Sequence, residues 1–172
     1  MNKILIASIL FLVFAFSTIN EAFAKTPDFY GANGVLKEHH LSLVKALTYS
    51  LEDEYLSQAN YDVYIEEFGA IRPFVQNKVA EKHHINKLLS LFKKYNIDVP
   101  TDIAKKFTTK PKTLEKAFSQ ATKKELDTIS MYSKLQSIKV FPEDVLTTFS
   151  ELKMDSYNHF KKLEYNQTNS LH

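Results

Sequence analysis

Apolar and polar residues follow one another along the chain with the spacing of an α-helix in four long segments. Apolar side chains recur every three or four residues over residues 35–68, 73–95, 112–138 and 142–165, which places them along one face of each helix. Every glycine and proline lies between these segments or at the start of one, where helix-breaking residues are tolerated. The pattern therefore predicts four long amphipathic helices, A to D, with a short helix within residues 101–107.

Four amphipathic helices of this length bury their apolar faces most simply in one bundle. The A–B and C–D connections are short, so each of these pairs is predicted to be antiparallel, whereas the B–C connection is long enough to cross the length of the bundle. We therefore predict an all-α fold over residues 35–165: a four-helix bundle with one long B–C crossover, the connectivity of ferritin-like proteins. Residues 25–34 form a lead to it, and residues 166–172 form a polar tail.

Residues 1–24 have the pattern of a secretory signal peptide. Lys3 precedes an apolar run over residues 4–16, and Ala22-Phe23-Ala24 supplies the small residues of a cleavage site. The run is shorter than the roughly 20 apolar residues of a membrane-spanning helix, and an uncleaved anchor is the alternative. We therefore expect a periplasmic or secreted protein with no membrane span after cleavage of this signal.

The composition limits the chemistry that such a bundle could support. The chain has no cysteine, which excludes disulfides, cysteine-ligated metal sites and cysteine nucleophiles. Its three glycines cannot build a phosphate-binding loop, and its net charge of +2 gives no electrostatic case for nucleic-acid binding. No Ser/His/Asp order or nucleophile elbow indicates a hydrolase. Any metal site must therefore be built from Glu, Asp and His, and the pattern indicates no oligomeric state.

Acidic residues and histidines interrupt the apolar face of every predicted helix. Helix A carries Glu54, helix B carries Glu81 and His84, helix C carries Glu125, and helix D carries His159. A buried carboxylate without a partner is costly, so their presence on four helices indicates that they share a cation. The Glu-x-x-His spacing of Glu81 and His84 puts both side chains on one helix face. Carboxylate oxygens with imidazole nitrogens suit iron or manganese, and zinc also fits them, so these five residues are the predicted metal ligands.

The predicted depths of these residues in the bundle support most of this set and leave Glu54 in question. At a rise of about 1.5 Å per residue, Glu125 and His159 lie at matching levels in an antiparallel pair. Glu54 is offset from Glu81 by more than one helical turn. The alternatives are a solvated acidic face over residues 52–54, a surface ion pair for Glu125, and a hydrogen-bonded core histidine at position 159.

Two stretches carry a resemblance to a known family. They are the Glu-Lys-His-His motif of residues 81–84 and the Tyr-Asn-Ile-Asp-Val-Pro stretch of residues 95–100, with further matches in residues 51–56 and 156–160. On these residues the chain resembles the bacterial ferritin-like family labelled domain of unknown function 2202, over about residues 47–163. The resemblance implies a ferritin-like bundle that carries a carboxylate-bridged dimetal centre, and the family as a whole has no settled activity.

The chain departs from the ferritin-like pattern at Ser156. A second Glu-x-x-His motif ending at His159 would need an acid at position 156, and Asp155, the neighbouring acid, is about 100° around the helix. We expect a protein that binds iron or manganese, as a single ion or a pair, with an oxidase or metal-handling activity if the metal is redox-active. The alternative is a metal-free bundle with a decayed site, which serves as an envelope interaction or structural module.

Overall fold

The computed structural model describes residues 25–169. These residues form five α-helices, one 3₁₀ turn and the connections between them. The helices are α1 (Gly31–Lys37), α2 (Leu43–Phe68), α3 (Arg72–Lys94), α4 (Leu114–Gln136) and α5 (Glu143–Asn169), and the 3₁₀ turn is Ala104–Phe107. Helices α2 to α5 correspond to the predicted helices A to D, and the turn lies within the predicted short helix. The prediction of an all-α helical bundle is therefore confirmed, with no strand in residues 25–169.

The predicted start of helix A at residue 35 is wrong. Residues 31–37 form the separate helix α1, and α2 begins after Ser42, whose hydroxyl accepts a hydrogen bond from the backbone N–H of Lys45. This cap satisfies one of the N–H groups that a helix leaves unpaired at its start. The pattern did not predict the break because no glycine or proline lies within residues 35–42. At the other end of the chain, α5 continues into residues 166–169 of the predicted polar tail.

Contacts between the helices fix the direction of each one. α2 and α3 pack as an antiparallel pair, as do α4 and α5. Tyr132 of α4 meets Glu54 of α2, whereas Glu125 of α4 meets Tyr61 of α2, so these two helices are also antiparallel. It follows that α3 and α4 run in the same direction. Residues 95–113 therefore carry the chain back along the bundle, and their 3₁₀ turn packs against α2.

Two apolar clusters fill the bundle at opposite ends. The first includes Leu47, Leu51, Leu88, Phe92, Met131, Leu135, Phe149 and Leu152. The second includes Tyr61, Tyr64, Phe74, Ala117, Phe118, Ala121 and Leu163. Burial of one such leucine or phenylalanine side chain stabilises the fold by about 1.5–3 kcal/mol. On every long helix a stretch of polar positions separates the two clusters, and a polar layer between them costs stability that the clusters must offset.

Helix α1 is tied to α2 through polar contacts and a close approach of backbone. The backbone N–H of Ala32 donates to Oδ1 of Asp53 over 2.8 Å. Gly34 lies against the ring of Tyr49, where an added Cβ would come within 2.7 Å of ring carbons. The other carboxylate oxygen of Asp53 is 2.7 Å from the ammonium of Lys124 on α4. Asp53 therefore joins α1, α2 and α4.

The predicted signal peptide, residues 1–24, lies outside the described residues, and so do residues 170–172. No helix within residues 25–169 combines the length and the apolar character that crossing a membrane requires. The location of the protein outside the cytoplasm stays a prediction.

Candidate metal centre

The five residues predicted as metal ligands lie together in the polar layer between the two apolar clusters. α2 contributes Glu54, α3 contributes Glu81 and His84, α4 contributes Glu125, and α5 contributes His159. None of them exposes more than 4% of its surface. Each belongs to the apolar face of its helix, so the same packing that buries the leucines also turns these groups inward.

The first group of three consists of Glu54, Glu81 and His84. Nδ1 of His84 lies 2.9 Å from Oε2 of Glu81 and 3.1 Å from Oε2 of Glu54. One donor atom from each residue falls within 4.8 Å of the other two. A single cation between them could therefore take two carboxylate oxygens and one imidazole nitrogen.

The second group of three consists of Glu81, Glu125 and His159. Nδ1 of His159 lies 3.3 Å from Oε1 of Glu81 and 3.5 Å from Oε1 of Glu125, and the three donor atoms again fall within 4.8 Å of one another. The rings of His84 and His159 stack with their centroids 5.6 Å apart. Glu81 thus directs one oxygen toward each imidazole and belongs to both groups, which is the arrangement of a bridging carboxylate.

The predicted offset of Glu54 does not separate it from the other residues. The predicted offset was the distance along the bundle axis between Glu54 and Glu81. Glu54 contacts α3 at His84, which lies one turn after Glu81. Because α3 runs antiparallel to α2, residues further along α3 lie level with residues nearer the start of α2. Glu81 reaches the same space since it lies on the same helix face as His84, three residues away.

Two buried tyrosines hold the outer carboxylates, whereas the sequence pattern indicated only that they belong to the core. The hydroxyl of Tyr61 donates to Oε1 of Glu125 over 2.6 Å, and the hydroxyl of Tyr132 donates to Oε1 of Glu54. Asn77 donates in turn to the Tyr61 hydroxyl over 3.1 Å. Burial, together with the adjacent carboxylates, raises the pKa of both tyrosines well above the usual value. Both hydroxyls therefore stay protonated and act as donors.

Besides His159, α5 brings Asp155 and Ser156 close to the layer. Oδ2 of Asp155 lies 3.4 Å from Nε2 of His84, on the opposite edge of the imidazole from the glutamates. Histidines that bind a metal through one nitrogen commonly turn the other N–H toward a carboxylate, which fixes the ring. Ser156 is buried but brings no carboxylate into the layer. The structure thus places Asp155 beside the ligand set and outside both groups of three.

The pKa values of the histidines and glutamates reflect the competition in the layer between burial and the attraction of opposite charges. Burial opposes the charge of His84, but the attraction of Glu54 and Glu81 outweighs it and raises the pKa of His84 to about 11. The same balance against Glu125 and Glu81 raises the pKa of His159 to about 9. Burial raises the pKa of Glu54. For Glu81 the nearby imidazoles of His159 and His84 outweigh burial and lower the pKa. In the metal-free chain these shifts favour protonated imidazoles, which would bring positive charge among the carboxylates.

Two buried atoms in or beside the layer, Nδ1 of His159 and Oδ1 of Asn77, have no hydrogen-bond partner among the described residues. Nδ1 of His159 is buried and forms no hydrogen bond, although two carboxylate oxygens lie within 3.5 Å. Buried polar atoms are almost always paired, so an unpaired nitrogen that faces two carboxylates calls for an explanation. A divalent cation supplies one, because it would accept the nitrogen lone pair and neutralise the oxygens at once. The donor set fits iron or manganese.

Five donor residues from four helices form two overlapping groups with Glu81 in common. No family model, no curated protein and no solved structure matches this chain.

Proposed function

We propose that the chain is a ferritin-like protein that binds a pair of iron or manganese ions in the polar layer between its helices. The observation that carries the proposal is the position of Glu81, whose two carboxylate oxygens face two different imidazoles. The return of the chain along the bundle between α3 and α4 supports the ferritin-like comparison.

Each ion would have one terminal carboxylate and one imidazole, and Glu81 would bridge the two. Glu54 and His84 would hold the first ion, and Glu125 and His159 would hold the second. Bound iron or manganese supplies redox chemistry toward oxygen or peroxide, which makes an oxidase or metal-handling role the consequence of this site. Tyr61 and Tyr132 belong to the chain's own contribution, since their hydrogen bonds hold Glu125 and Glu54 in place.

The apolar clusters on either side of the layer would keep bulk water from the ions. A dry environment strengthens every electrostatic interaction within the layer. With the predicted signal peptide, the protein would meet its metal in the periplasm or outside the cell.

A second candidate function is that of a metal-free bundle used for interactions or structure in the cell envelope. Ser156 favours it, because the layer lacks the fourth carboxylate of a complete ferritin-like site. In that case the protonated imidazoles of His84 and His159 would be the permanent counter-charges of the three glutamates.

Metal content of the purified mature chain decides between these functions. Residues 25–172 are produced, stripped of metal, titrated anaerobically with Fe(II) or Mn(II) and assayed by elemental analysis. We expect about two ions per chain, one for each group of three. Admission of oxygen to the Fe(II) sample then tests for the near-ultraviolet absorbance of ferric iron. Binding of less than one ion per chain at micromolar metal would overturn the proposal.

A matched pair of variants assigns the binding to the layer. Glu81→Gln keeps the size of the side chain but removes the charge that both ions share, so it should abolish binding of at least one ion. Glu164→Gln makes the same change on an exposed part of α5 and should leave the metal content unaltered. Circular dichroism checks that both variants fold. Equal metal content in the two variants would contradict the assignment.

A further inference from the structure

We propose that metal ions reach the buried layer through the α3–α5 seam, where Asp155 receives them from solvent and passes them to His84. This inference rests on the proposed function, since it concerns how ions enter and leave the same layer. It is based on a difference in exposure: Asp155 is partly exposed to solvent, whereas the tyrosines that contact the ligands are buried.

On its other sides, apolar packing and the hydrogen bonds of the ligands involve buried groups. The two apolar clusters lie above and below it, and Tyr61, Asn77 and Tyr132 occupy the polar contacts toward α2 and α4. Each of these three residues exposes at most 2% of its surface. None of these three residues therefore offers a cation a polar group that also reaches solvent.

Within residues 25–169, the side chains of Tyr61, Tyr132 and Asp155 contact the five ligands from outside the ligand set. Of these three, only Asp155 also reaches solvent. Its side chain is 44% exposed, yet its Oδ2 lies 3.4 Å from Nε2 of His84, whose side chain is 2% exposed. One carboxylate thus touches both bulk water and a buried ligand. It does not belong to either group of three, which fits a group that meets the ion in transit.

A surface cavity leads to this carboxylate. It has a volume of ≈ 330 Å³ and is lined by Lys87 of α3 and by Ser150, Glu151, Met154 and Asp155 of α5. Water occupies about 30 Å³ per molecule, so a cation with six waters needs roughly 180 Å³ and fits this space. Glu151 lies one helical turn before Asp155, so two carboxylates line the path toward the layer.

Lys87 lies at this cavity and would control the rate at which cations approach Asp155. Its ammonium pairs with Glu151 over 3.0 Å, across the α3–α5 seam. A positive charge at this place repels an approaching cation and occupies one of the two carboxylates that would attract it. Both effects slow the approach of metal while the pair is closed.

The inner end of the route provides the second, independent observation. Nδ1 of His159 is buried without a hydrogen bond and faces Glu81 and Glu125, so the layer beyond His84 holds a nitrogen without a partner. The rings of His84 and His159 are stacked, so an ion that has passed from the Nε2 edge of His84 to its Nδ1 edge is next to His159.

The test measures rates as well as equilibrium binding, with Co(II) as the probe. The metal-free mature chain is mixed with Co(II) in a stopped-flow instrument, loading is followed by the visible absorbance of the bound ion, and release is followed after addition of a chelator. In Asp155→Asn we expect loading and release to slow together by about tenfold, because a charged route changes the rate in both directions. The number of ions bound should stay unchanged, and any rise in the dissociation constant from the lost contact with His84 should be smaller than the change in the loading rate.

Two further variants make the result specific. Asp127→Asn removes a carboxylate of nearly equal exposure (42%) on α4 and should load at the wild-type rate. Lys87→Gln should load severalfold faster, because it removes the positive charge at the mouth of the cavity. Restoration of the rate in Asp155→Glu would show that the carboxylate itself is what matters.

The contrary results are distinct from failure of the proposed function. Wild-type loading and release rates in Asp155→Asn, with Co(II) still bound, would overturn the route and leave the metal centre intact. A weaker dissociation constant with an unchanged loading rate would show that Asp155 only fixes the ring of His84, which also overturns the route. A wild-type chain that binds no Co(II) would overturn both proposals.

Discussion

The hydroxyl of Tyr61 on α2 donates a 2.6 Å hydrogen bond to Oε1 of Glu125 on α4. Tyr132 on α4 makes the corresponding bond to Glu54 on α2. The two helices thus exchange equivalent contacts around the polar layer, and each outer glutamate is held by the tyrosine of the opposite helix. The hydrogen bonds of the chain itself therefore organise the layer.

Tyr61→Phe should weaken both the fold and the metal centre. It leaves a buried carboxylate oxygen of Glu125 without its donor, so the free energy of unfolding should fall by about 1–3 kcal/mol in urea titrations of the metal-free chain. Loss of a group that orients a ligand commonly lowers metal affinity by about 10–100-fold, which competition with a chelator would measure.

The control for this prediction is Tyr64→Phe, one turn further along α2. Tyr64 is buried in the second apolar cluster and contacts the same Phe74 as Tyr61. It makes no recorded contact with the ligands. Equal losses of metal affinity in the two variants would count against a specific role for the Tyr61 hydroxyl.

Ser156→Glu should make the metal-free chain less stable and the metal-bound chain more stable. A fourth carboxylate in the layer adds buried negative charge, which costs about 3 kcal/mol when nothing compensates it. A bound pair of divalent ions would reverse this effect. Melting temperatures with and without Mn(II) measure both. Asn158→Glu, at an exposed position of α5, is the control and should change neither; a metal-induced rise no larger than that of the wild-type chain would contradict the prediction.

The positions of the predicted ligands followed from the sequence because each interrupts a strongly periodic apolar face. Glu54, Glu81, Glu125, His84 and His159 all lie where a leucine would otherwise be expected. What the periodicity could not provide was the relative level of neighbouring helices. That level depends on where the connection after Phe68 places the start of α3. The sequence therefore suggested that Glu54 lies at a different level from Glu81, whereas Glu54 in fact contacts His84, one turn further along α3.

The tyrosines could have been found by a spacing argument. Tyr61 follows Glu54 by seven residues, and Tyr132 follows Glu125 by the same interval. Seven residues are two helical turns, so each tyrosine lies on the face of its glutamate. Antiparallel packing of α2 against α4 then brings each tyrosine to the glutamate of the other helix. Periodicity within one helix indicates a shared face, but the pairing across helices requires the fold.

Gly34→Ala should loosen α1 from the bundle. Its new Cβ would lie 2.7 Å from ring carbons of Tyr49, which is buried under α1. Overpacking of this kind typically costs about 1–3 kcal/mol. Because α1 is short, we expect the cost to appear as faster proteolysis within residues 25–42, with α2 to α5 still folded. Asn33→Ala, at the preceding position, should be cleaved at the wild-type rate; equal cleavage of both variants would be the contrary result.

Lys124→Met should be strongly destabilising, whereas Lys123→Met should be nearly neutral. Lys124 lies 2.7 Å from Asp53 with side-chain exposures of 14% and 1%, so its removal leaves a buried charge unpaired. Such a change costs about 3–5 kcal/mol. Lys123 pairs with Asp127 one turn away, but both side chains are well exposed, and exposed pairs contribute about 0–1 kcal/mol. Urea titrations of the two variants measure the difference.

The double variant Asp53→Asn/Lys124→Met tests the reason for that difference. If the cost of Lys124→Met comes from the unpaired carboxylate, removal of the carboxylate charge should restore part of the free energy of unfolding. An amide at position 53 can still accept the hydrogen bond from Ala32 through its oxygen, and its N–H can donate to the hydroxyl of Thr128. A double variant no more stable than Lys124→Met would instead show that the aliphatic packing of the lysine carries the effect.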